Sequence, residues 1–206
     1  MTDSDKERAL SLCPQLQGIR QELEIYERLL LRWQKKINLV GPSTVQAVWT
    51  RHFADSAQLF EFSPVRASWV DLGSGAGFPG IVISLLQKSL NCGGEMHVIE
   101  SDSRKAAFLR EVSRETGAGA FVHHIRCEYI LPTLSPGVIT SRAMTGLVRL
   151  IELSREHVEK GAIALFLKGR DIDAELTRAP ISSNFSVELF PSRVEPGGNV
   201  IRISVR

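Results

Sequence analysis

The segment Asp71-Leu72-Gly73-Ser74-Gly75-Ala76-Gly77-Phe78-Pro79-Gly80 constrains this chain more than any other. It follows a short β-like run, Ser68-Trp69-Val70, and opens an apolar helical run, Ile81-Val82-Ile83-Ser84-Leu85-Leu86. Strand, glycine turn and helix make the first half of a βαβ unit, so the next strand is expected to lie parallel. Alternating glycines reach backbone conformations closed to other residues and let a ligand come against the main chain. They also cost conformational entropy, which disfavours the bland reading of a loop that only packs helix on strand. An acid at the strand end, Asp71, and a second, Glu100, at the end of the next apolar run point to a nucleoside cofactor.

From the boundary at Ser63-Pro64 onward, strand and helix patterns alternate. Strands are predicted at Ser68–Leu72, Glu95–Ile99, Phe121–Ile125, Val138–Thr140 and Ala162–Leu167. Helices are predicted at Ile81–Leu90, Ser103–Thr116, Gly146–Glu159 and Ile172–Arg178. That rhythm predicts an α/β protein with a parallel sheet covered by helices on both faces. The C-terminus breaks it. Phe185–Phe190 and Val200–Val205 both look like strands, and Pro191 to Asn199 is too short to hold a crossover helix. Pro196-Gly197-Gly198 is a turn signal, so these two strands pair antiparallel.

Upstream, Leu16, Ile19, Leu23, Tyr26, Leu30, Trp33 and Ile37 recur at spacings of three and four, which predicts one amphipathic helix. Met1 to Arg8 reads as a polar, frayed end. Gly41-Pro42 interrupts the pattern, Ser43 is a candidate cap, and Arg51 to Phe60 looks helical again. His52 and Asp55 lie three apart on one face there and are placed to bond each other. The organisation read from this is an N-terminal helical extension, residues 1–64, on a principal domain, residues 65–206, forming one compact unit.

Two cofactors compete for the glycine loop. Gly75-Ala76-Gly77-Phe78-Pro79-Gly80 matches GxGxxG, with Glu100 about 20 residues on, as a dinucleotide site requires. In such a site, however, the first glycine follows the strand directly, and here that glycine is Gly73. Read from Asp71, the pattern is Asp-x-Gly-x-Gly-x-Gly, which resembles motif I of the S-adenosylmethionine methyltransferases. A dinucleotide needs a helix N-terminus aimed at its pyrophosphate. S-adenosylmethionine has no phosphate; acids suit its ammonium and its ribose hydroxyls. Glu100 suits the ribose, because a carboxylate accepts two hydroxyls. The antiparallel ending, and the lack of room for a separate substrate domain, also turn the reading away from a nicotinamide enzyme. The expected architecture is then a class I S-adenosylmethionine-dependent methyltransferase fold. Its mostly parallel seven-stranded sheet would close with an antiparallel C-terminal hairpin.

Ligands in such sheets bind beyond the carboxyl ends of the strands. Those ends carry Gly73 to Gly80, Glu100-Ser101-Asp102, Arg126-Cys127-Glu128, Ser141-Arg142-Ala143 and Lys168-Gly169-Arg170. Singly, each charge is an ordinary surface residue; five in register suit one polar crevice. Here the pattern becomes specific. Arg51-His52-Phe53-Ala54-Asp55-Ser56, the loop ending Phe78-Pro79-Gly80, Val98-Ile99-Glu100-Ser101-Asp102-Ser103-Arg104-Lys105, and the Arg126, Ser141 and Lys168 segments resemble the 16S ribosomal RNA (guanine-N7) methyltransferases. That family is also called the glucose-inhibited division protein B family. The resemblance runs over nearly the whole chain. It implies a cofactor site of Asp71, Gly73, Gly75, Gly77, Phe78, Glu100, Ser101, Asp102, Cys127, Glu128 and Arg142, with Arg142 also the candidate catalytic residue. Cys127 stands where the family more often has alanine, and Arg104 where it has lysine.

The resemblance implies methyl transfer from S-adenosyl-L-methionine to N7 of a guanine in the decoding-region loop of 16S rRNA, with the rRNA held within the small ribosomal subunit. Guanine N7 has a lone pair and no proton to lose, so no general base is expected. Candidate RNA contacts are Arg28, Arg32, Lys35, Lys36, Arg51, Arg104, Lys105, Arg142, Lys168 and Arg170. A net charge of +2 is low for a free RNA binder and suits a substrate presented by a particle. A small-molecule methyltransferase and a catalytically silent cofactor-binding module associated with RNA are the alternatives. Three dispersed cysteines, Cys13, Cys92 and Cys127, suit neither a disulfide framework nor zinc. With no signal peptide or long apolar run, a cytoplasmic, metal-free monomer without membrane contact is expected.

Overall fold

The computed structural model describes residues 3–64, 66–142, 144–169 and 172–206. Ala143 and Arg170, both named above, lie outside the described residues. The chain runs through α1 (Asp3–Leu12), α2 (Arg20–Gln34), α3 (Asp55–Ala57), β1 (Trp69–Leu72), α4 (Gly80–Ser89), β2 (Met96–Ile99), α5 (Ser103–Glu115), β3 (Phe121–His123) and α6 (Cys127–Ile130). It continues through β4 (Val138–Arg142), α7 (Leu147–Glu159), β5 (Ile163–Lys168), α8 (Ile172–Arg178), β6 (Phe185–Pro191) and β7 (Asn199–Val205).

The sheet has seven strands in the order β3-β2-β1-β4-β5-β7-β6. Its first five strands are parallel, and β7 runs antiparallel to both β5 and β6. The expected fold class is therefore the observed one. Strand order reverses between β1 and β4, so a crevice opens where their loops part. Side-chain alternation divides the core. Trp69 of β1 joins the core under α2, α4 and α5, while Val70 and Leu72 join the core under α7. Asp71 shares the Trp69 side, which places its carboxylate beneath the start of α4.

The N-terminal reading needs correction. The Met1–Arg8 stretch is not frayed from Asp3 on, because α1 is held by tertiary contacts. The Asp5 carboxylate accepts the backbone N–H groups of Trp49 and Thr50 at 3.0 and 3.3 Å, and Lys6 sits 4.9 Å over the Trp49 ring. The single helix expected from Leu16 to Ile37 is a 3₁₀ segment, Pro14–Ile19, followed by α2. Ser43 lies inside a 3₁₀ turn, Pro42–Ala47, capped at Gly41. The Arg51–Phe60 region is helical but divided into a π-turn, Trp49–Ala54, then α3, then a 3₁₀ turn, Gln58–Phe62. The predicted Phe121–Ile125 strand stops at His123. Its His123 Nε2 lies 2.9 Å from His97 Nδ1, and His124 Nε2 lies 3.2 Å from the Ser101 carbonyl.

Candidate active site

A cavity of about 970 Å³ opens at the carboxyl ends of the parallel strands. That volume suits a bound cofactor together with one reacting group. Gly73, Ser74, Gly75 and Ala76 line the cavity, together with Glu100, Ser101, Cys127 and Glu128. Arg142, at the end of β4, faces the same space with Arg51, His52 and Phe78.

The glycine loop is shaped by two carboxylates. The Asp71 Oδ2 accepts the Gly80 N–H at 3.0 Å and the Ser74 hydroxyl. Glu100 accepts the Gly75 N–H on Oε2 at 2.9 Å and the Asp102 N–H on Oε1 at 2.7 Å. Gly73, Gly75 and Gly77 all take positive φ, at 62°, 58° and 89°. From below, the Tyr26 hydroxyl of α2 donates to the Ala76 carbonyl.

Part of the expected site lies outside the cavity lining. Asp71, Gly77 and Asp102 are not among the residues that line the cavity. Asp71 is fully buried, because its face of β1 points under α4. Burial pushes its carboxyl up to about 7, against the pull of Ser74, Gly80 and Arg142. A Cβ on Gly77 would press into Tyr26, Ile81 and Leu109, so its glycine serves packing. Asp102 caps α5 by accepting the Arg104 and Lys105 N–H groups at 2.8 and 3.1 Å. Phe78 edges the cavity, but its ring is stacked on Tyr26 and His52 at 5.3 and 4.9 Å, so it is no platform for a base. His52 and Asp55 do not bond each other: His52 Nε2 meets Thr44 Oγ1 at 2.9 Å, and Asp55 turns to Gln58 and Arg142.

The loop chemistry decides between the cofactors. The first N–H of α4, at Gly80, is already met by Asp71, and Gly75 N–H by Glu100. Carboxylates occupy the places a pyrophosphate would need, so a dinucleotide does not fit. Each Glu100 oxygen keeps a second lone pair, so the carboxylate can accept a pair of ribose hydroxyls. Glu128 also lines the cavity, with its Oε1 ion-paired to Arg149 Nη2 at 2.8 Å. The donor set fits S-adenosylmethionine.

The basic rim is partly spent. Arg51 is ion-paired with Glu195, Arg32 with Glu111, and Arg104 with Asp102. Lys168 is nearly buried; its Nζ donates to the Thr145 carbonyl and meets Glu175 Oε2 at 3.0 Å. Arg28, Lys35 and Lys36 are exposed on and just after α2. Burial pushes the Cys127 thiol up to about 11, which makes it a poor target for oxidation. Tyr26, Ser74 and Met144 were not singled out from sequence. Tyr26 reads there as one more apolar residue on a helix face.

The family model for rRNA small subunit methyltransferase G (GidB) matches residues 19–196. The chain belongs to that family. Relatives named ribosomal RNA small subunit methyltransferase G include one from Bradyrhizobium sp. (strain BTAi1 / ATCC BAA-1182), 44% identical over 97% of this chain and 90% of its own. Another, from Rhodospirillum centenum, is 50% identical over 88% and 82%. Among solved structures, a mutant of MtNAS in complex with S-adenosylmethionine aligns with a TM-score of 0.58 at 17% identity, covering 90% of this chain and 75% of that one. Precorrin-6y C5,15-methyltransferase from Geobacter metallireducens gives 0.57 at 15%, covering 82% and 91%. At such identities these structures establish the fold alone. As a member of the methyltransferase G family, the chain is an S-adenosylmethionine-dependent methyltransferase. Among the described residues no helix is long and apolar enough to cross a membrane, and no group of three or more His, Cys, Asp or Glu could hold a metal ion.

Two outcomes follow from this geometry. Glu100→Ala removes the acceptor that holds the Gly75 N–H and lines the cavity. It is expected to weaken S-adenosylmethionine binding by roughly 10- to 100-fold, read by isothermal titration. An unchanged Kd would remove Glu100 from the site. The second concerns His52, which burial, then Arg142 and Arg51, push down to about 3 from 6.5. Unfolding therefore takes up a proton between those pH values, so stability tied to the neutral ring is present above about 6.5 and lost as pH falls. Asp71, raised from 3.8 to about 7, has the opposite sign and favours the folded state at low pH. His52→Phe removes one side of this balance. Between pH 6.5 and 5 its unfolding free energy is expected to rise relative to wild type by on the order of 1–2 kcal/mol, read by urea denaturation. A difference independent of pH would contradict the buried neutral ring.

Proposed function

We propose that this enzyme transfers a methyl group from S-adenosyl-L-methionine to N7 of a guanine in 16S rRNA, in the decoding-region loop. Its substrate is the RNA as presented by the small ribosomal subunit. The observation that carries the reading is the position of Arg142. One nitrogen of its guanidinium is tied back to the protein, and the side chain faces the cavity that also holds the Glu100 carboxylate. A guanidinium is the group that reads guanine O6 and N7.

When bound, the cofactor supplies an electrophilic methyl group on a sulfonium. Glu100 would hold the ribose, with the Gly73–Ala76 backbone along the cofactor and Ser101, Cys127 and Glu128 toward the adenine. Arg142 would donate to guanine O6 and turn N7 toward the methyl group. No residue has to take a proton, because N7 attacks through a lone pair. His52, an imidazole that lines the cavity, fits that chemistry: it is kept neutral and directed at Thr44. The chain contributes alignment and exclusion of water, which suffice for a reaction limited by geometry.

The test is transfer of labelled methyl from S-adenosylmethionine to small subunits lacking the modification, with the product nucleoside identified. N7-methylguanosine at one position supports the reading. Label in a different nucleoside, or turnover of a small acceptor without RNA, would replace it.

A further inference from the structure

We propose that Asp55 is a positioning residue for methyl transfer: it holds the Arg142 guanidinium by one edge so that the other edge faces the acceptor base. The inference rests on the reading of Arg142 given under Proposed function.

Asp55 opens α3 and is 9% exposed. Its Oδ2 lies 3.6 Å from Arg142 Nη1, and the same nitrogen donates to the Arg51 carbonyl at 3.1 Å. The Phe78 ring lies 4.9 Å from the guanidinium carbon, beneath the cation. Among the described residues, Arg142 Nε and Nη2 donate to nothing. A guanidinium is a rigid planar fork, so fixing one nitrogen with the Phe78 ring against the cation restricts the directions of the remaining N–H groups. Those remaining groups are the ones left for a ligand in the cavity.

Asp55 is itself fixed from behind. Gln58 Nε2 donates to Asp55 Oδ1 at 2.8 Å and to the Asp55 carbonyl at 3.1 Å. The same amide meets Ser192 Oγ at 3.1 Å, and Gln58 Oε1 accepts the Arg193 N–H at 3.1 Å. Ser192 and Arg193 begin the turn between β6 and β7, and Ser192 lines the cavity. One buried polar chain thus joins the end of β4, the π-turn and the C-terminal hairpin. A buried carboxylate making a single long ion pair is a poor source of stability, since apolar packing would serve as well. What the pair supplies is direction.

The experiment is a double-mutant cycle on the full chain, with small subunits lacking the modification as acceptor. Asp55→Asn is expected to lower kcat by roughly 10- to 100-fold. The Kd for S-adenosylmethionine and the KM for subunits should stay within about threefold. In an Arg142→Ala background the same change should cost nothing further, because there is no fork left to aim. Equal losses in both backgrounds, or a loss carried by Kd or KM, would overturn the proposal. Should Asp55→Asn fail to fold, Asp55→Glu keeps the charge and moves it by one methylene; it is expected to lose about tenfold in kcat, and full activity overturns the proposal. A second readout needs no RNA. The guanidinium ¹⁵N signals of Arg142, assigned by their loss in Arg142→Lys, should show hindered rotation in the wild type and averaging in Asp55→Asn. Identical spectra overturn the role of Asp55 even if the acceptor is not rRNA. Wild-type protein that gives no N7-methylguanosine overturns only the functional reading.

Discussion

Arg142→Ala is expected to lower kcat for methyl transfer by on the order of 10²- to 10³-fold, with the Kd for S-adenosylmethionine changed by less than about threefold. The proposed cofactor wall is the Gly73–Ala76 backbone and Glu100, while the polar partners of Arg142 are the Arg51 carbonyl and Asp55, so binding should survive. The acceptor base, in contrast, loses the donor that orients it. The same change leaves Asp55 as a buried carboxylate without its cation, and breaking such a pair costs about 3–5 kcal/mol. The thermal midpoint should therefore fall as well. Arg142→Lys separates the two effects. It keeps a charge beside Asp55 and so most of the stability, but an ammonium cannot present a planar pair of donors to guanine. Its kcat should stay low while its midpoint returns toward wild type. If Arg142→Lys regains full kcat, a point charge is enough and guanine reading through a fork is wrong. If both variants keep wild-type kcat, Arg142 is a structural residue of β4.

The sheet was legible because its signals are local. Apolar runs such as Val98-Ile99 and Leu165-Phe166-Leu167 end in charge or glycine, and the short link from Pro191 to Asn199 admits only an antiparallel pairing. Glu100 and Arg142 could be placed at the crevice for the same reason, since each stands at the end of such a run. What could not be read was which polar residue faces the cavity and which faces the protein. Asp71 ends on the α4 side through the two-residue period of β1, and Asp102 is consumed as a cap. Both are acids beside the right loop, and sequence offers no measure of which way such a side chain turns. The α1 helix was missed for a different reason. The α1 helix is secured by Asp5 reaching Trp49 and Thr50, more than forty residues away, and its own composition argues for fraying. Tyr26 illustrates both limits. Its spacing on α2 placed it correctly in the core, but its hydroxyl bond to Ala76, which ties that helix to the cofactor loop, depends on tertiary geometry alone.

That tie makes Gly77 a sensitive point of the loop. Gly77→Ala is expected to destabilise the fold by roughly 2–4 kcal/mol and to abolish measurable cofactor binding. Two effects add. A φ of 89° is strained for any residue with a Cβ, and the new atom would sit 2.8 Å from Ile81 Cγ1 and 3.0 Å from Leu109 Cδ2, and against the Tyr26 oxygen. Relief requires the loop to lift from α2, which breaks the Tyr26 bond to Ala76 and moves the wall that faces the ligand. Gly75→Ala provides the contrast. Its φ of 58° carries a comparable backbone strain, but a Cβ there meets only the Gly73 carbonyl at 3.8 Å. The expected loss of stability is about 1 kcal/mol, and the methyl group projects from a wall of the cavity. Urea denaturation with and without S-adenosylmethionine distinguishes the two. Gly75→Ala should be nearly as stable as wild type without cofactor and gain little when it is added. Gly77→Ala should be much less stable in both conditions. Equal stabilities without cofactor would mean that α2 does not support the loop, and that the N-terminal helices pack on the domain without shaping its site.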